Sequence, residues 1–261
     1  MKEEDFNYPS GKYYDVMIKH QKRPILQKDG PFYIEQAKRY RSRKILELGC
    51  GTGRIAIPFK EAGFDIIGID LMETMLKEAK EKSKIKRLEI PFLQSDIRDF
   101  DLIDQFGKFD LIYAPAALFQ ALLTNRDFQK MLSCVKKHLS SSGRLIFHMF
   151  NPNLEILTAN PEELVERWEF PDPEGDGIMK VFETLSYDAS RQLTTTKIYY
   201  KVGSEIKFQR DLVLKMYFPC ELDTLLEHGG FEIEHKFADF DKTPFNSHTN
   251  SQITICKLVQ N

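Results

Sequence analysis

Cysteine is scarce in this chain and poorly placed for chemistry. Cys50, Cys134, Cys220 and Cys256 are the four present in 261 residues, widely scattered and without C-x-x-C or Cys/His ligand spacing. That spacing excludes a zinc site of the familiar kind and a disulfide scaffold, so no metal is expected and a reduced, cytoplasmic setting fits best. Long apolar runs are also missing: none approaches the roughly 18 to 20 residues needed to span a bilayer. The opening MKEEDFNYPS is charged where a secretory signal would be apolar. Excess charge of one sign is absent as well, since the net charge of −2 provides no global attraction to nucleic acid or to an anionic membrane. Lys19 to Lys44 departs locally from that balance, with nine Lys or Arg residues against two acids. Solvated helix faces explain it, and no aromatics interleave there in an RNA-binding pattern. Neither a nucleic-acid nor a membrane partner is therefore expected. Internal repeats and low-complexity tracts are lacking too.

What is present is an alternation of strand and helix signals up to about Phe150: strands at 44–49, 65–70, 88–94, 109–114 and 143–150, and helices at 53–62, 73–82 and 125–139. Such alternation belongs to a parallel sheet covered on both faces. Ligands in these sheets bind beyond the carboxyl ends of the strands. The most informative stretch is KILELGCGTGRIAIPF, Lys44 to Phe59, in which an apolar strand passes through a glycine-packed turn into an amphipathic helix. Gly49, Gly51 and Gly53 alternate there, and Thr52 is placed to cap the helix. Helix N–H groups at such an end favour a carboxylate or a phosphate. Gly51, Gly53 and Ala56 also fit the dinucleotide pattern G-x-G-x-x-G/A. Glu47 argues against that cofactor, because an acid two residues before the first glycine suits a positively charged amino group rather than a pyrophosphate.

At these residues the chain resembles the class I S-adenosylmethionine (SAM)-dependent methyltransferases, whose first motif, E/D-x-G-x-G-x-G, appears as Glu47, Gly49, Gly51 and Gly53. FDIIGIDLMETMLKEAK resembles the second motif, with Asp70 at the strand end, and LQSDIRDF the third, with Asp96. FDLIYAPAALFQALLT and SSGRLIFHMFNP resemble the fourth and fifth strands with their loops. The resemblance implies SAM as cofactor and S-adenosylhomocysteine as product. It places Glu47 and the turn Gly49, Cys50, Gly51, Thr52 and Gly53 at the amino-acid end of SAM. Asp70 would serve the ribose hydroxyls, Asp96 the adenine amino group and Ile97 the ring, with Leu71, Met72 and Ala114 bordering the adenosine. The implied fold is α/β: a Rossmann-like, seven-stranded, mostly parallel sheet with helices on both faces and a closing antiparallel hairpin, plus an antiparallel β insertion.

At 261 residues the chain exceeds the usual single-domain size, so a core with an accessory lobe is expected. Residues 1–40 read as an N-terminal helical cover, 41–152 as the SAM-binding core, 153–218 as an inserted β-rich lid and 219–261 as a return to the core. The lid follows a Pro- and acid-rich stretch, Pro161 to Gly177, as three strands at 178–187, 192–202 and 206–218, the middle one, LTTTKIYYKV, suited to a pleated surface. In small-molecule methyltransferases, by resemblance, such elements cover the acceptor, so a small molecule is the expected partner, and the chain a monomer or homodimer. Tyr14, in YDVMIKH, either contacts SAM or packs in the core. Tyr33, in PFYIEQA, belongs to the same cover.

Acceptor contacts are expected from Tyr33, Phe119, Gln120, Phe150 and Asn151. Arg210 and Tyr217, on the third lid strand, point either into the pocket or out to water, because alternation lets only one register face it. His148 is the candidate base, having a pKa suited to proton abstraction near neutrality. Relatives often carry an acid there, in D-x-F-N-P, where this chain has HMFNP, and that departure leaves the inherited role open. Methyl transfer to nitrogen, oxygen or sulfur of a small molecule is the leading reading. A methyltransferase acting on RNA or protein is the alternative, as is a SAM-binding protein without turnover.

Overall fold

The computed structural model describes residues 11–21, 25–175 and 177–260; the charged opening residues 1–10, and residues 22–24 of the basic stretch, lie outside them. The described chain starts with α1 (Gly11–His20) and α2 (Ile25–Arg39). It then alternates through β1 (Lys44–Leu48), α3 (Ala56–Glu61), β2 (Asp65–Asp70), α4 (Glu73–Ile85), β3 (Phe92–Gln94), α5 (Ile103–Phe106), β4 (Phe109–Ala114), α6 (Asn125–His138) and β5 (Leu139–Phe150). A one-turn helix, α7 (Leu154–Leu157), precedes four strands, β6 (Val165–Pro171), β7 (Ile178–Asp188), β8 (Leu193–Val202) and β9 (Glu205–Lys215). The chain returns through α8 (Pro219–His228), β10 (Phe231–Phe237) and β11 (Ser251–Leu258).

Seven strands form one sheet in the order β10-β11-β5-β4-β1-β2-β3, in which β1, β2, β3, β4 and β5 run parallel. β11 inserts antiparallel between β5 and β10, the expected closing hairpin. KILEL, DIIGID and FDLIYA are apolar at most positions on both faces because helices cover both faces of these strands. One core layer joins Leu46, Ile112 and Phe147 to α6 and α8. The opposite layer sets Ile45, Tyr113 and Ile146 against Tyr33 of α2 and Phe59 of α3. No helix among the described residues is long and apolar enough to cross a membrane.

The second sheet, β6-β7-β8-β9, is antiparallel throughout. Its first strand was hidden in the stretch read above as connecting chain. Trp168 and Phe170 alternate there with Glu169 and Pro171, and Phe170 is buried. The acids mark the outer face of an edge strand, and Pro171 ends it where no ladder donor is needed. A third core cluster ties this sheet to the rest: Tyr13 and Met17 of α1 pack between Met72 and Met75 on one side and Met179, Val181, Ile198 and Tyr200 on the other.

Several boundaries differ from the sequence reading; the third lid strand, for one, ends at Lys215, short of Tyr217. The third strand is only Phe92–Gln94. The third helix starts at Ala56 rather than 53, because residues 51–55 form turns with Gly51 and Gly53 at positive φ. The serines expected as a turn before the fifth strand lie within β5, whose pairing with β4 shifts register between Phe109 and Leu111.

Candidate active site

The glycine turn follows β1 directly. Gly51 has φ +51° and faces open space, with no atom within 4 Å of where a Cβ would stand. Gly49, at φ +66°, lies under Leu118, and a Cβ there would come within 2.7 Å of the leucine methyl. A side chain at Gly49 would be strained and crowded, while one at Gly51 would intrude on whatever the turn receives. Asp70, at the end of β2, holds the turn by accepting from the Gly51 N–H (2.7 Å) through one oxygen and from the Met72 N–H (2.9 Å) through the other. Burial raises its pKa, against the opposing pull of those two N–H groups.

Glu47 lies beneath the turn, 1 % exposed, with Oε2 lacking a hydrogen-bond partner. Desolvation pushes its pKa up to about 8, opposed by the Tyr113 hydroxyl and the Arg54 charge. Arg54 itself is clamped by the buried Asp29, Nη1 to Oδ1 at 2.7 Å and Nη2 to Oδ2 at 2.6 Å. A buried carboxylate oxygen without a partner, beside a turn open at Gly51, fits a ligand that brings an ammonium group and needs close backbone approach.

Beyond the turn opens a cavity of about 580 Å³, within the range of small-molecule sites. Its floor is the strand-end region: Gly49, Gly51, Asp70, Leu71, Met72, Ser95 and Ile97, with Pro115 to Leu118 after β4. One wall is α1 and the residue that follows it, which present Tyr14, Met17, Ile18 and Gln21 at helical spacing. The roof is the inner face of the four-stranded sheet. Alternate residues face inward there: Glu183 and Leu185 on β7, Thr194, Thr196 and Ile198 on β8, and Arg210, Leu212 and Leu214 on β9. Helix α1 is tied to the floor by Asp15, which accepts from the Thr52 hydroxyl (2.5 Å) and from Lys82 Nζ (2.6 Å). It is tied to the roof by the Tyr13 hydroxyl, which donates to Asp172 (3.3 Å).

The expected site residues divide on this geometry. Tyr14, Gly49, Gly51, Asp70, Leu71, Met72, Ile97, Phe150 and Arg210 line the cavity. Glu47, Cys50, Gly53 and Ala114 are buried and do not line it, Glu47 lying beneath the glycine turn. Thr52 is no helix cap, since its hydroxyl is given to Asp15 and the helix starts four residues later. Asp96 does not line the cavity: Arg98 takes its carboxylate, Nε at 3.0 Å from each oxygen, so Ser95 and Ile97 face the space instead.

Tyr33, Phe119 and Tyr217 are core aromatics away from the cavity wall. Tyr33 stacks on Tyr113 at 4.6 Å, Phe119 packs on Phe147 at 5.1 Å, and the Tyr217 hydroxyl donates to the Leu122 carbonyl. Gln120 and Asn151 are structural ties: Gln120 joins the Lys215 carbonyl to the Phe150 N–H, and Asn151 bonds the Thr249 carbonyl. His148 is not brought to the cavity. It is 1 % exposed between Phe150 and Phe240, and burial pushes its pKa down to about 4, so a proton-abstracting role has neither reach nor the pKa near neutrality that suggested it.

Met17, Ile18, Gln21, Trp168, Glu183 and the threonines of β8 line the cavity without having been foreseen. Their signals were the 14-17-18-21 spacing and the period-2 alternation of the lid strands, neither of which says which face looks inward.

A Rossmann-like sheet with this glycine turn, buried acid and strand-end aspartate resembles the class I SAM-dependent methyltransferases. Comparison with known proteins agrees. Residues 45–143 match the family model for a methyltransferase domain. A putative methyltransferase of Geobacillus sp. strain WCH70 is 26 % identical over 225 residues, covering 81 % of this chain and 83 % of the relative. Among solved structures, a SAM-dependent methyltransferase from Clostridium acetobutylicum ATCC 824 superposes with TM-score 0.75 at 22 % identity, over 90 % of this chain and 92 % of that one. The sugar N-methyltransferase KedS8 of Streptoalloteichus sp. ATCC 53650 superposes with TM-score 0.66 at 18 % identity, over 89 % and 87 %. The protein is an enzyme of the class I SAM-dependent methyltransferase type.

Proposed function

We propose that this enzyme methylates a small molecule held between the strand ends and the inner face of the four-stranded sheet. The observation that carries the reading is the covered cavity. The sheet and α1 cover a cavity that begins at the glycine turn, a partly open cleft of small-molecule volume with a mainly apolar lining, which favours a small acceptor over a macromolecule. KedS8, by its name, acts on a sugar nitrogen, which supports a small acceptor in a fold of this kind without identifying the one used here.

SAM would supply a methyl group on a sulfonium centre, open to in-line attack. Glu47 would pair with its α-amino group and the open Gly51 backbone would admit the amino-acid end. Asp70 would receive the ribose hydroxyls on lone pairs not used by Gly51 and Met72, and Leu71, Met72 and Ile97 would enclose the base. The apolar roof residues Leu185, Ile198, Leu212 and Leu214 exclude water and hold the acceptor for attack, the positioning that gives methyl transfer much of its rate.

Titration calorimetry with SAM, S-adenosylhomocysteine and NAD, followed by S-adenosylhomocysteine release assays on panels of small amines, alcohols and thiols, tests the reading. Micromolar SAM binding, no NAD binding and turnover of a small acceptor are expected. Salt-sensitive methylation of bulk RNA or protein, with no small acceptor turned over, would overturn it.

A further inference from the structure

The roof of the cavity carries a carboxylate that the folded chain uses only in part. Glu183 is 9 % exposed, lines the cavity, and shares its strand pairing row with Val165 on one side and Ile198 on the other. Its Oε2 accepts from Arg167 Nε at 2.9 Å. Among the described residues nothing hydrogen-bonds Oε1. Glu183 lines the cavity and Arg167 does not, so the ion pair holds the carboxylate in the cavity wall by one oxygen. Arg210 occupies the same row two strands away, about 10 Å by sheet spacing, and its Nε donates to the Tyr200 hydroxyl at 3.2 Å.

Fold stability alone gives little reason for an acid here. Leu185 and Ile198, its neighbours on the inner face, are apolar, and removing a carboxylate from water costs several kcal/mol unless it is well paired. A cross-strand pair serving only the sheet would stand as well on the outer face, where Lys180 and Glu166 make one. An oriented, nearly buried carboxylate with one unused oxygen, set in an apolar wall, is a receptor for a positively charged hydrogen-bond donor.

We infer that Glu183 determines acceptor specificity by receiving a protonated primary or secondary amine of the methyl acceptor on Oε1. This rests on the proposed small-molecule reading and narrows it: the acceptor class is an aliphatic or benzylic amine whose apolar body lies on Leu185, Ile198 and Leu212. Glu183 is a binding group, not the methylated centre's base. A nitrogen held there as ammonium has no lone pair for attack, so it is a second amine of the acceptor, and the atom that takes the methyl group is another, unprotonated one.

Ligand-observed NMR on the S-adenosylhomocysteine-saturated enzyme, with the matched pairs benzylamine and benzyl alcohol, and cyclohexylamine and cyclohexanol, tests the inference without knowledge of the natural acceptor. Each amine is expected to bind about tenfold more tightly than its alcohol, the margin of a charge-assisted over a neutral hydrogen bond. In Glu183→Gln, which keeps the side-chain shape, that preference is expected to vanish while S-adenosylhomocysteine affinity, read by calorimetry, stays the same. Equal binding of amine and alcohol by the parent enzyme, or binding of neither, overturns the inference, as does an amine preference that survives Glu183→Gln. Should the variant misfold, which its S-adenosylhomocysteine titration reveals, the parent enzyme's preference decides alone. Failure of the parent to bind S-adenosylhomocysteine would instead sink the SAM-site reading, a different outcome.

Discussion

Replacing Glu47 with Gln is the sharpest probe of the cofactor end of the cavity, because the free enzyme holds that carboxyl at a pKa of about 8 against an ordinary 4.5. The displacement corresponds to about 5 kcal/mol between the two protonation states, with burial as its principal cause. In the unfolded chain the group ionises near its ordinary value. Between about pH 4.5 and pH 8 the folded state therefore keeps a proton that the unfolded state has lost, and stability falls as pH rises through that window before levelling. An ammonium group against Oε2 favours the charged form. SAM binding at pH 7 should thus expel close to one proton, and affinity should tighten about tenfold per pH unit up to about pH 8 and then flatten.

Calorimetric titration with SAM in phosphate and in Tris at one pH reads that proton directly, since the two buffers differ in ionisation enthalpy. Glu47→Gln should bind with buffer-independent heat and little pH dependence. Its affinity should be lower by about tenfold to a hundredfold, the worth of a hydrogen bond to a charged group, and near pH 9 it should be more stable than the parent enzyme. Flat SAM affinity between about pH 6 and pH 8 in the parent, with heats that ignore the buffer, would refute the pairing of Glu47 with the SAM amino group.

Asp70→Ala should weaken SAM binding sharply and also lower stability by about 1–3 kcal/mol in chemical denaturation, because the Gly51 and Met72 N–H groups lose their acceptor; unchanged SAM affinity would remove Asp70 from the site. Asp29→Ala strips the clamp from Arg54 and should cost about 3–5 kcal/mol, whereas a loss below about 1 kcal/mol in urea would show the pair to be dispensable. Ala117 sits at φ +59° at the cavity floor, so Ala117→Gly should raise the thermal midpoint and Ala117→Val lower it, by about 1 kcal/mol or more in each direction; the reverse order would mean the loop relaxes out of the left-handed region. His148→Phe should leave kcat and its pH profile essentially unaltered once an acceptor is in hand, and loss of turnover would restore His148 to the chemistry.

Much of this was legible in the chain itself. The apolar runs of β1, β2 and β4 and the glycine turn specify a buried parallel sheet locally, since hydrophobicity on both strand faces and left-handed glycines need no distant partner to be recognised. Asp70 was legible for the same reason: a strand end at the right spacing puts its carboxylate beside the turn, and Gly51 and Met72 complete its bonds. β6 was not, because its acids and Pro171 masked an edge strand whose Trp168 and Phe170 acquire meaning only when β7 and α1 arrive to cover them.

The sequence by itself determined the α/β core, the strand-end location of the site and the glycine turn, all set by local periodicity and backbone freedom. Tertiary structure alone decided which polar groups meet the cavity. Arg98 took Asp96, Asp15 took Thr52, the core took His148 and Tyr217, and the register of the lid sheet turned Glu183 and Arg210 inward. Partner choice and strand facing depend on residues far apart in the chain, and a one-residue slip would turn the whole inner row outward.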